Sequence, residues 1–309
     1  MCYTRDMKTA TPLTKPLITN ILNADSSPTL PLVELLSKAD IVHDGTLGSI
    51  VKETQRAWVQ KSRPQQTTAA PKERWEIEKE IVDEYEAQRA ELLPLLQKLG
   101  FVDEIKPTKN AYTYGVIMGA TLTDMRVRIA YAIHAWQQGI RYEKIIFLLG
   151  ERPADSIEDS IELLLDKNNG ILPIKNNWRA PHPLPATEGT IAEALYAQAD
   201  LPRGMDTLPV EFIRVPMIEN ADKTVRRPTT GDTIIKWLAT NPAPGSVLAF
   251  SNQPYCAYQE SVVNTFLPTT FEVETVGQAD AYKTNAPTNI ILFLDNLGRT
   301  LYQELQRKK

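Results

Sequence analysis

Two arginine pairs stand beside turns rich in glycine and threonine, and both pairs could bind an anion. The first pair, Arg126 and Arg128, follows the segment GATLTDM and opens a helical pattern. The second pair, Arg226 and Arg227, precedes the segment PTTGD, which leads into another helical pattern. Guanidinium groups bind phosphate, carboxylate and sulfate through paired hydrogen bonds, and the first amides of a helix attract the same groups. The two segments therefore predict an anionic ligand.

The threonines of these turns have two interpretations. Thr121 precedes the first helix, and Thr229 and Thr230 precede the second, so their hydroxyl groups could contact a ligand or cap the helix. Asp232 follows in the first turn of the second helix. Capping alone would account for the threonines, but it does not account for the arginine pair just before them.

Three further polar residues and one glycine are candidates at neighbouring turns. Glu188 begins a helix, where it could be a general base or only a favourable charge at the positive end of the helix dipole. Ser251 and Asn252 end the apolar segment SVLAF, but no G-x-S-x-G motif supports a hydrolase triad there. Gly119 stands alone in its turn, which fits neither the G-x-G-x-x-G nor the Walker A pattern.

The elements that must position these residues alternate between strand and helix from residue 111 onward. The strand-like segments are TYGVIM, KIIFLL, EFIRVP, SVLAFS, FEVETV and NIILFL. Helical patterns cover residues 123–138, 156–167, 187–199, 230–240, 255–266 and 297–308. Short apolar strands separated by helices are typical of a parallel sheet covered on both faces. We therefore expect a three-layer α/β/α Rossmann-like sandwich with a mostly parallel sheet over residues 111–309.

Ligands of such folds bind at the carboxyl ends of the strands, near the point where the strand order reverses. Most candidates lie in the turns after the strands or in the helices that these turns open, and Glu188 begins a helix after a long loop. The fold would bring such residues to one edge of the sheet. The predicted ligand-binding residues are Gly119, Thr121, Arg126, Arg128, Glu188, Arg226, Arg227, Thr229, Thr230, Asp232, Ser251 and Asn252.

Residues 1–110 form a helical N-terminal region without clear strand signals. The segment SRPQQTTAAP, residues 62–71, is polar and bounded by proline, so it is predicted to be a linker between helices. This region either packs against the α/β domain or forms a separate lobe that offers helices to a protein partner.

Composition excludes several classes of protein. The formal net charge of −4 disfavours wholesale binding of nucleic acid. Two cysteines and three histidines without metal-ligand spacing argue against a disulfide framework or a metal site. No apolar run is long enough to span a bilayer, and the first residues lack the apolar core of a signal peptide. A cytoplasmic location is expected, although export by a route without such a signal would leave the same pattern.

The segment GVIMGATLTDMRVRIAYAIHAWQQG, followed by KIIFLLG, resembles the YdcF/SanA/ElyC-like family. In that family an apolar strand ends in a glycine loop, and the next helix opens with an arginine-bearing segment. Arg128 falls on the helix arginine of the family, and Glu188 falls on its acidic position. Thr230, and more loosely Asp232, match a helix start that contains a threonine and an acid.

The resemblance covers about residues 115–277, and two departures limit what it implies. The family's Ser-Gly-Gly strand end reads LLGERP here, and Pro254 and Ala257 replace a later histidine and arginine. If the family's chemistry depends on those groups, this chain has lost or changed it. The resemblance implies a Rossmann-like sandwich with a ligand cleft at the strand ends. The resemblance also implies S-adenosylmethionine as a candidate ligand.

Two functional hypotheses follow. In the first, the chain binds a small anionic or nucleotide-like ligand, S-adenosylmethionine among the candidates, at the carboxyl edge of a YdcF-like sheet. The reaction, if there is one, is left open. In the alternative, the chain is a non-catalytic interaction protein or secreted effector that uses its helical region, with a degenerate cleft.

Overall fold

The computed structural model describes residues 21–62, 77–280 and 288–308. Most of the predicted linker lies outside these ranges, and so do the first residues of the chain, which the prediction on a signal peptide concerns. The chain divides into two compact units. Unit 1 comprises Met1–Phe101 and Asn289–Lys309, and unit 2 comprises Val102–Thr288.

The N-terminal part of unit 1 is helical where the structure describes it, as the sequence predicts. Its helices are α1 (Leu30–Lys38), α2 (Leu47–Thr54), α3 (Lys79–Glu86) and α4 (Arg89–Lys98), and a π-helical turn (Gln55–Val59) continues α2. Helix α2 begins where the side chain of Thr46 accepts a hydrogen bond from the Ser49 amide, which satisfies one of the first amides of the helix.

Unit 2 contains the sheet. Its strands are β1 (Ala111–Met118), β2 (Arg141–Gly150), β3 (Val210–Val215), β4 (Ile218–Glu219), β5 (Val225–Arg226), β6 (Ser246–Asn252) and β7 (Glu272–Gln278). Five of them form one sheet in the order β3-β2-β1-β6-β7, and every pair in it is parallel. The short strands β4 and β5 pair with each other as an antiparallel ribbon.

Helices cover both faces of this sheet. They are α5 (Leu122–Gln137), α6 (Ile161–Leu165), α7 (Glu188–Gln198), α8 (Thr230–Leu238) and α9 (Cys256–Phe266). Helices α5 and α7 pack on one face, and α8 and α9 pack on the other. Alternate side chains of β1 enter the two layers, with Ile117 in one core and Val116 and Met118 in the other. The predicted three-layer Rossmann-like sandwich is therefore confirmed.

The strand order reverses between β1 and β6, the two neighbours in the middle of the sheet. Strands β2 and β3 continue outward from β1, whereas β7 continues outward from β6. The carboxyl ends of β1 and β6 thus form the crevice where ligands of open α/β sheets bind. Gly119 follows the end of β1, and Asn252 is the last residue of β6.

The prediction of a strand at NIILFL is wrong, because this segment opens helix α10 (Ile290–Arg307). Ile290, Ile291, Phe293 and Leu294 are all fully buried, and a helix buried on several sides has no alternation that would distinguish it from a buried strand. The sequence-based division also grouped this helix with residues 111–309. In the structure α10 packs against α2, α3 and α4 of unit 1.

Candidate functional site

Arg128 lies at the crevice, and its guanidinium group connects the ends of β1 and β6. Its Nε donates to Asn252 Oδ1 at 2.7 Å, and its Nη1 donates to the carbonyl oxygens of Met118 and Gly119 at 2.8 and 2.7 Å. Only 2% of Arg128 is exposed. All three acceptors are neutral, and Arg128 forms no ion pair among the described residues, although the charges of Asp124 and Glu188 act on it. Burial lowers the pKa of Arg128, although the charge of Asp124 opposes this.

Arg126 is equally buried, with 2% exposed, but it points elsewhere. Its Nη2 donates to the carbonyl oxygens of Leu164 and Asp166, at 3.1 and 3.4 Å. These carbonyls end helix α6, whose negative dipole end attracts a cation. The structure therefore places Arg126 at the end of α6 and does not bring it to Arg128.

Glu188 belongs to a buried ion network that ties the loops after β1 and β2 together. Its Oε2 accepts from Arg152 Nε at 2.9 Å, and its Oε1 accepts from the Gly150 amide at 3.1 Å. Arg152 also forms an ion pair with Asp159 and donates to the Ala120 carbonyl. The Asp159 side chain is fully buried, and 11% of the Glu188 side chain is exposed.

The pKa values of this network follow from burial and pairing. Burial raises the pKa of Glu188 to about 6, against the opposing effects of Arg152, the Gly150 amide and Arg128. Burial alone would lower the pKa of Arg152, but Asp159 and Glu188 raise it above its usual value. Glu188 thus changes charge near neutral pH while Arg152 stays a cation.

Gly119 makes room for the Glu188 carboxylate. A Cβ atom at position 119 would overlap Glu188 Oε1 and lie 2.9 Å from the backbone oxygen of Leu148. The carbonyl oxygen of the same glycine accepts from Arg128. The Glu188 carboxylate and the Arg128 guanidinium therefore both contact Gly119.

The chain's own side chains occupy the helix starts that the sequence assigned to a ligand. The Leu122 amide, first in α5, donates to Asp159 Oδ1 at 2.8 Å. At α8, Thr229 is the N-cap residue and forms a reciprocal capping box with Asp232. Thr121 is the N-cap residue of α5, but its side chain makes no capping hydrogen bond.

The second arginine pair is also engaged within the chain. Arg226 donates two hydrogen bonds to the Asp232 carboxylate, at 2.7 and 3.0 Å. This pairing lowers the pKa of Asp232 to about 2, with help from the hydrogen bonds of Thr229. Arg227 is half-buried, and burial lowers its pKa. Thr230 is the first residue of α8, and its carbonyl oxygen accepts from Thr233.

The two residues predicted at the end of β6 differ in their contacts. Asn252 is fully buried and joins Arg128 to the Asp124 carboxylate, which its Nδ2 contacts at 3.2 Å. The Ser251 hydroxyl is also buried and has no hydrogen-bond partner in the part of the chain that the structure describes. The structure thus brings Gly119, Arg128, Glu188 and Asn252 together at the crevice.

Sequence reasoning missed Arg152 and Asp159. The signal was present, because ERP directly follows the buried strand β2 and charged residues at a strand end often line a site. What the sequence does not show is that Arg152 pairs with both Asp159 and Glu188, which is 36 residues away along the chain.

Three other features of the described residues bear on ligands and partners. Among residues 21–62, 77–280 and 288–308, no group of three or more histidine, cysteine, aspartate or glutamate side chains could hold a metal ion. Within the same ranges, no helix is both long and apolar enough to cross a bilayer. Unit 1 has a groove of about 260 Å³ lined in part by Val42, Arg56, Lys61, Glu84 and Tyr85.

The chain was compared with family models, with curated proteins and with solved structures, and no match was found.

Proposed function

We propose that unit 2 binds a small anionic molecule at the carboxyl edge of its sheet, with Arg128 as the anion-binding group. The observation that carries this proposal is the buried guanidinium of Arg128, which has only neutral acceptors among the described residues. Removing a charge from water is costly unless an opposite charge accompanies it. A bound anion would supply that opposite charge.

The position of Arg128 supports the same conclusion. It lies where the strand order reverses, between the ends of β1 and β6. Its hydrogen bonds use Nε and Nη1, so the two N–H groups of Nη2 have no acceptor in the described part of the chain. Nucleotides and S-adenosylmethionine are the candidates within this class, and the resemblance to the YdcF-like family suggests the second of them.

Calorimetric titration of the full chain with inorganic phosphate, nucleotides and S-adenosylmethionine tests the proposal. Charge-assisted hydrogen bonds contribute enough that Arg128→Gln should weaken binding by about 10-fold or more. Arg126→Gln is the matched control, because this arginine is equally buried in the same helix but contacts the end of α6. Equal affinity of wild type and Arg128→Gln, with both folded by circular dichroism, would refute the proposal.

A protein-binding role of unit 1 is the second candidate. Val42, which is 86% exposed, lines the groove of this unit. Loss of partner capture by the full-length Val42→Asp variant would support this role. Val225→Asp, at an exposed valine of unit 2, is the control.

A further inference from the structure

The Glu188 carboxylate and the Arg128 guanidinium lie on two sides of Gly119, and this arrangement bears on the kind of anion that fits. The Gly119 carbonyl oxygen accepts from Arg128 Nη1 at 2.7 Å. Its α-carbon faces Glu188 Oε1 so closely that a Cβ atom would overlap that oxygen. A small molecule bound at Arg128 therefore lies within reach of a carboxylate as well as a cation.

The Glu188 carboxylate also has unused hydrogen-bonding capacity. A carboxylate offers about four acceptor positions. The Gly150 amide and Arg152 Nε fill two of them, and the described residues provide no further donor. The Glu188 side chain is 11% exposed.

A simple anion would meet repulsion at this place. The Glu188 carboxylate is negative above its pKa of about 6, and its burial reduces screening by water. The charged groups that act on it are Arg152, at the end of β2, and Arg128, on α5, and Arg152 is shared with Asp159. A ligand that brings a hydrogen-bond donor to Glu188 replaces this repulsion with a charge-assisted hydrogen bond.

We propose that the ligand of this site carries a hydroxyl or ammonium group next to its anionic group, and that Glu188 accepts a hydrogen bond from that donor. The proposal rests on the proposed function, because it assumes that Arg128 holds the anionic group. It makes Glu188 a specificity-determining residue and defines the ligand class as hydroxylated or zwitterionic small anions.

Three sulfonates that differ in one group test the proposal on the full chain. Ethanesulfonate carries only the anion, 2-hydroxyethanesulfonate adds a hydroxyl group, and 2-aminoethanesulfonate adds an ammonium group. Their sulfonates stay ionised from pH 5 to 8, so any pH dependence in that range reports on the protein. At pH 7.5 we expect the hydroxyl and ammonium compounds to bind about 10-fold or more tightly than ethanesulfonate.

The pH dependence provides a test that needs no variant. As the pH falls from 7.5 to 5, Glu188 gains a proton, so ethanesulfonate should bind more tightly and 2-aminoethanesulfonate less tightly. Glu188→Gln should reduce the preference for 2-aminoethanesulfonate to within about 3-fold of ethanesulfonate, because the amide carries no charge. Glu193→Gln, on the exposed side of the same helix, should keep the preference of the wild type.

The outcomes separate the two proposals. Binding that needs Arg128 but treats the three sulfonates alike, or that responds to pH in the same direction for all three, overturns the role of Glu188 and leaves the anion site standing. Absence of Arg128-dependent binding for all three sulfonates, and for phosphate and nucleotides, overturns both.

Discussion

Arg226 shares two hydrogen bonds with the carboxylate of Asp232, whereas Arg128 bonds to one amide oxygen and two backbone oxygens. Both arginines are in unit 2 near the start of a helix. Arg128 follows a turn that contains threonine, and Arg226 precedes one. The Arg226 side chain is 41% exposed, whereas Arg128 is buried. The first arginine forms an ion pair with a carboxylate, whereas the second forms none among the described residues, and the charges of Asp124 and Glu188 act on it from farther away.

This difference shows that an arginine beside a helix start has two possible roles, which the nearby carboxylates decide. Asp232 caps α8 and neutralises Arg226, so the pair stabilises a turn. At the start of α5 the Leu122 amide donates to Asp159, and Asp159 forms its ion pair with Arg152 and not with Arg128. Arg128 therefore has only neutral groups in direct contact among the described residues, and a ligand anion could add a direct ion pair.

Among the substitutions predicted here, one in the ion network of Arg152, Asp159 and Glu188 should lower the free energy of unfolding the most. Arg152→Met removes the cation between two buried carboxylates, so we expect the free energy of unfolding to fall by about 3–5 kcal/mol in urea denaturation. Arg214→Met is the matched control, because Arg214 also joins two carboxylates, those of Glu151 and Glu193, but its side chain is 35% exposed. Its loss should cost below about 1 kcal/mol. Equal losses would mean that burial does not set the strength of these networks.

Glu188 should give an intermediate effect that depends on pH. Its pKa is raised from 4.5 to about 6 in the folded chain, so the folded state holds the proton more tightly than the unfolded state. The free energy of unfolding should therefore fall by about 1–2 kcal/mol as the pH rises from 4.5 to 6. Urea denaturation of wild type and Glu188→Gln across this range isolates the contribution. A difference between the two proteins that stays constant with pH would contradict the raised pKa.

Asp232→Asn should give the smallest change in stability and tests the comparison most directly. Loss of the carboxylate weakens the cap of α8 and the pairing with Arg226, at an expected cost of about 1 kcal/mol. This contribution is present above the unfolded pKa of 3.8 and is lost as the pH falls towards 2 in the wild type. If the ion pair with Asp232 is the only reason that Arg226 binds no ligand, the variant should also bind ethanesulfonate in an Arg226-dependent manner, measured by calorimetry.

Asp222→Asn is the control for that experiment, because Asp222 accepts from Thr224 and forms no ion pair with Arg226. If Asp232→Asn binds no additional sulfonate, burial of Arg128 matters more than the missing carboxylate.

The sheet could be predicted from the sequence because its strands are short apolar runs, such as the IIFLL of β2, separated by helical patterns. The same rule failed at NIILFL, since the buried start of a helix has the same composition as a buried strand. The strand order could not be predicted, because an apolar run buried on both faces does not specify its neighbours.

The candidate site could be predicted only in part. Arg128 and Glu188 were found because they follow predicted strands or open predicted helices. The helical pattern alone could not separate Arg128 from Arg126, and only the resemblance singled out Arg128. The two arginines lie two residues apart on α5, and both are buried but contact different partners. It also could not show that Asp232 neutralises Arg226, because a capping acid and a ligand-binding acid have the same spacing.

The network around Arg152 has a consequence for amide hydrogen exchange. The Leu122 amide is protected by Asp159, and the Gly150 amide is protected by Glu188, so neither depends on a neighbouring strand. Arg152 holds both carboxylates, and a single opening of this side chain would expose both amides to deuterium. The first amide of α5 and the last amide of β2 would then exchange at one shared rate, although the rest of the sheet remains closed.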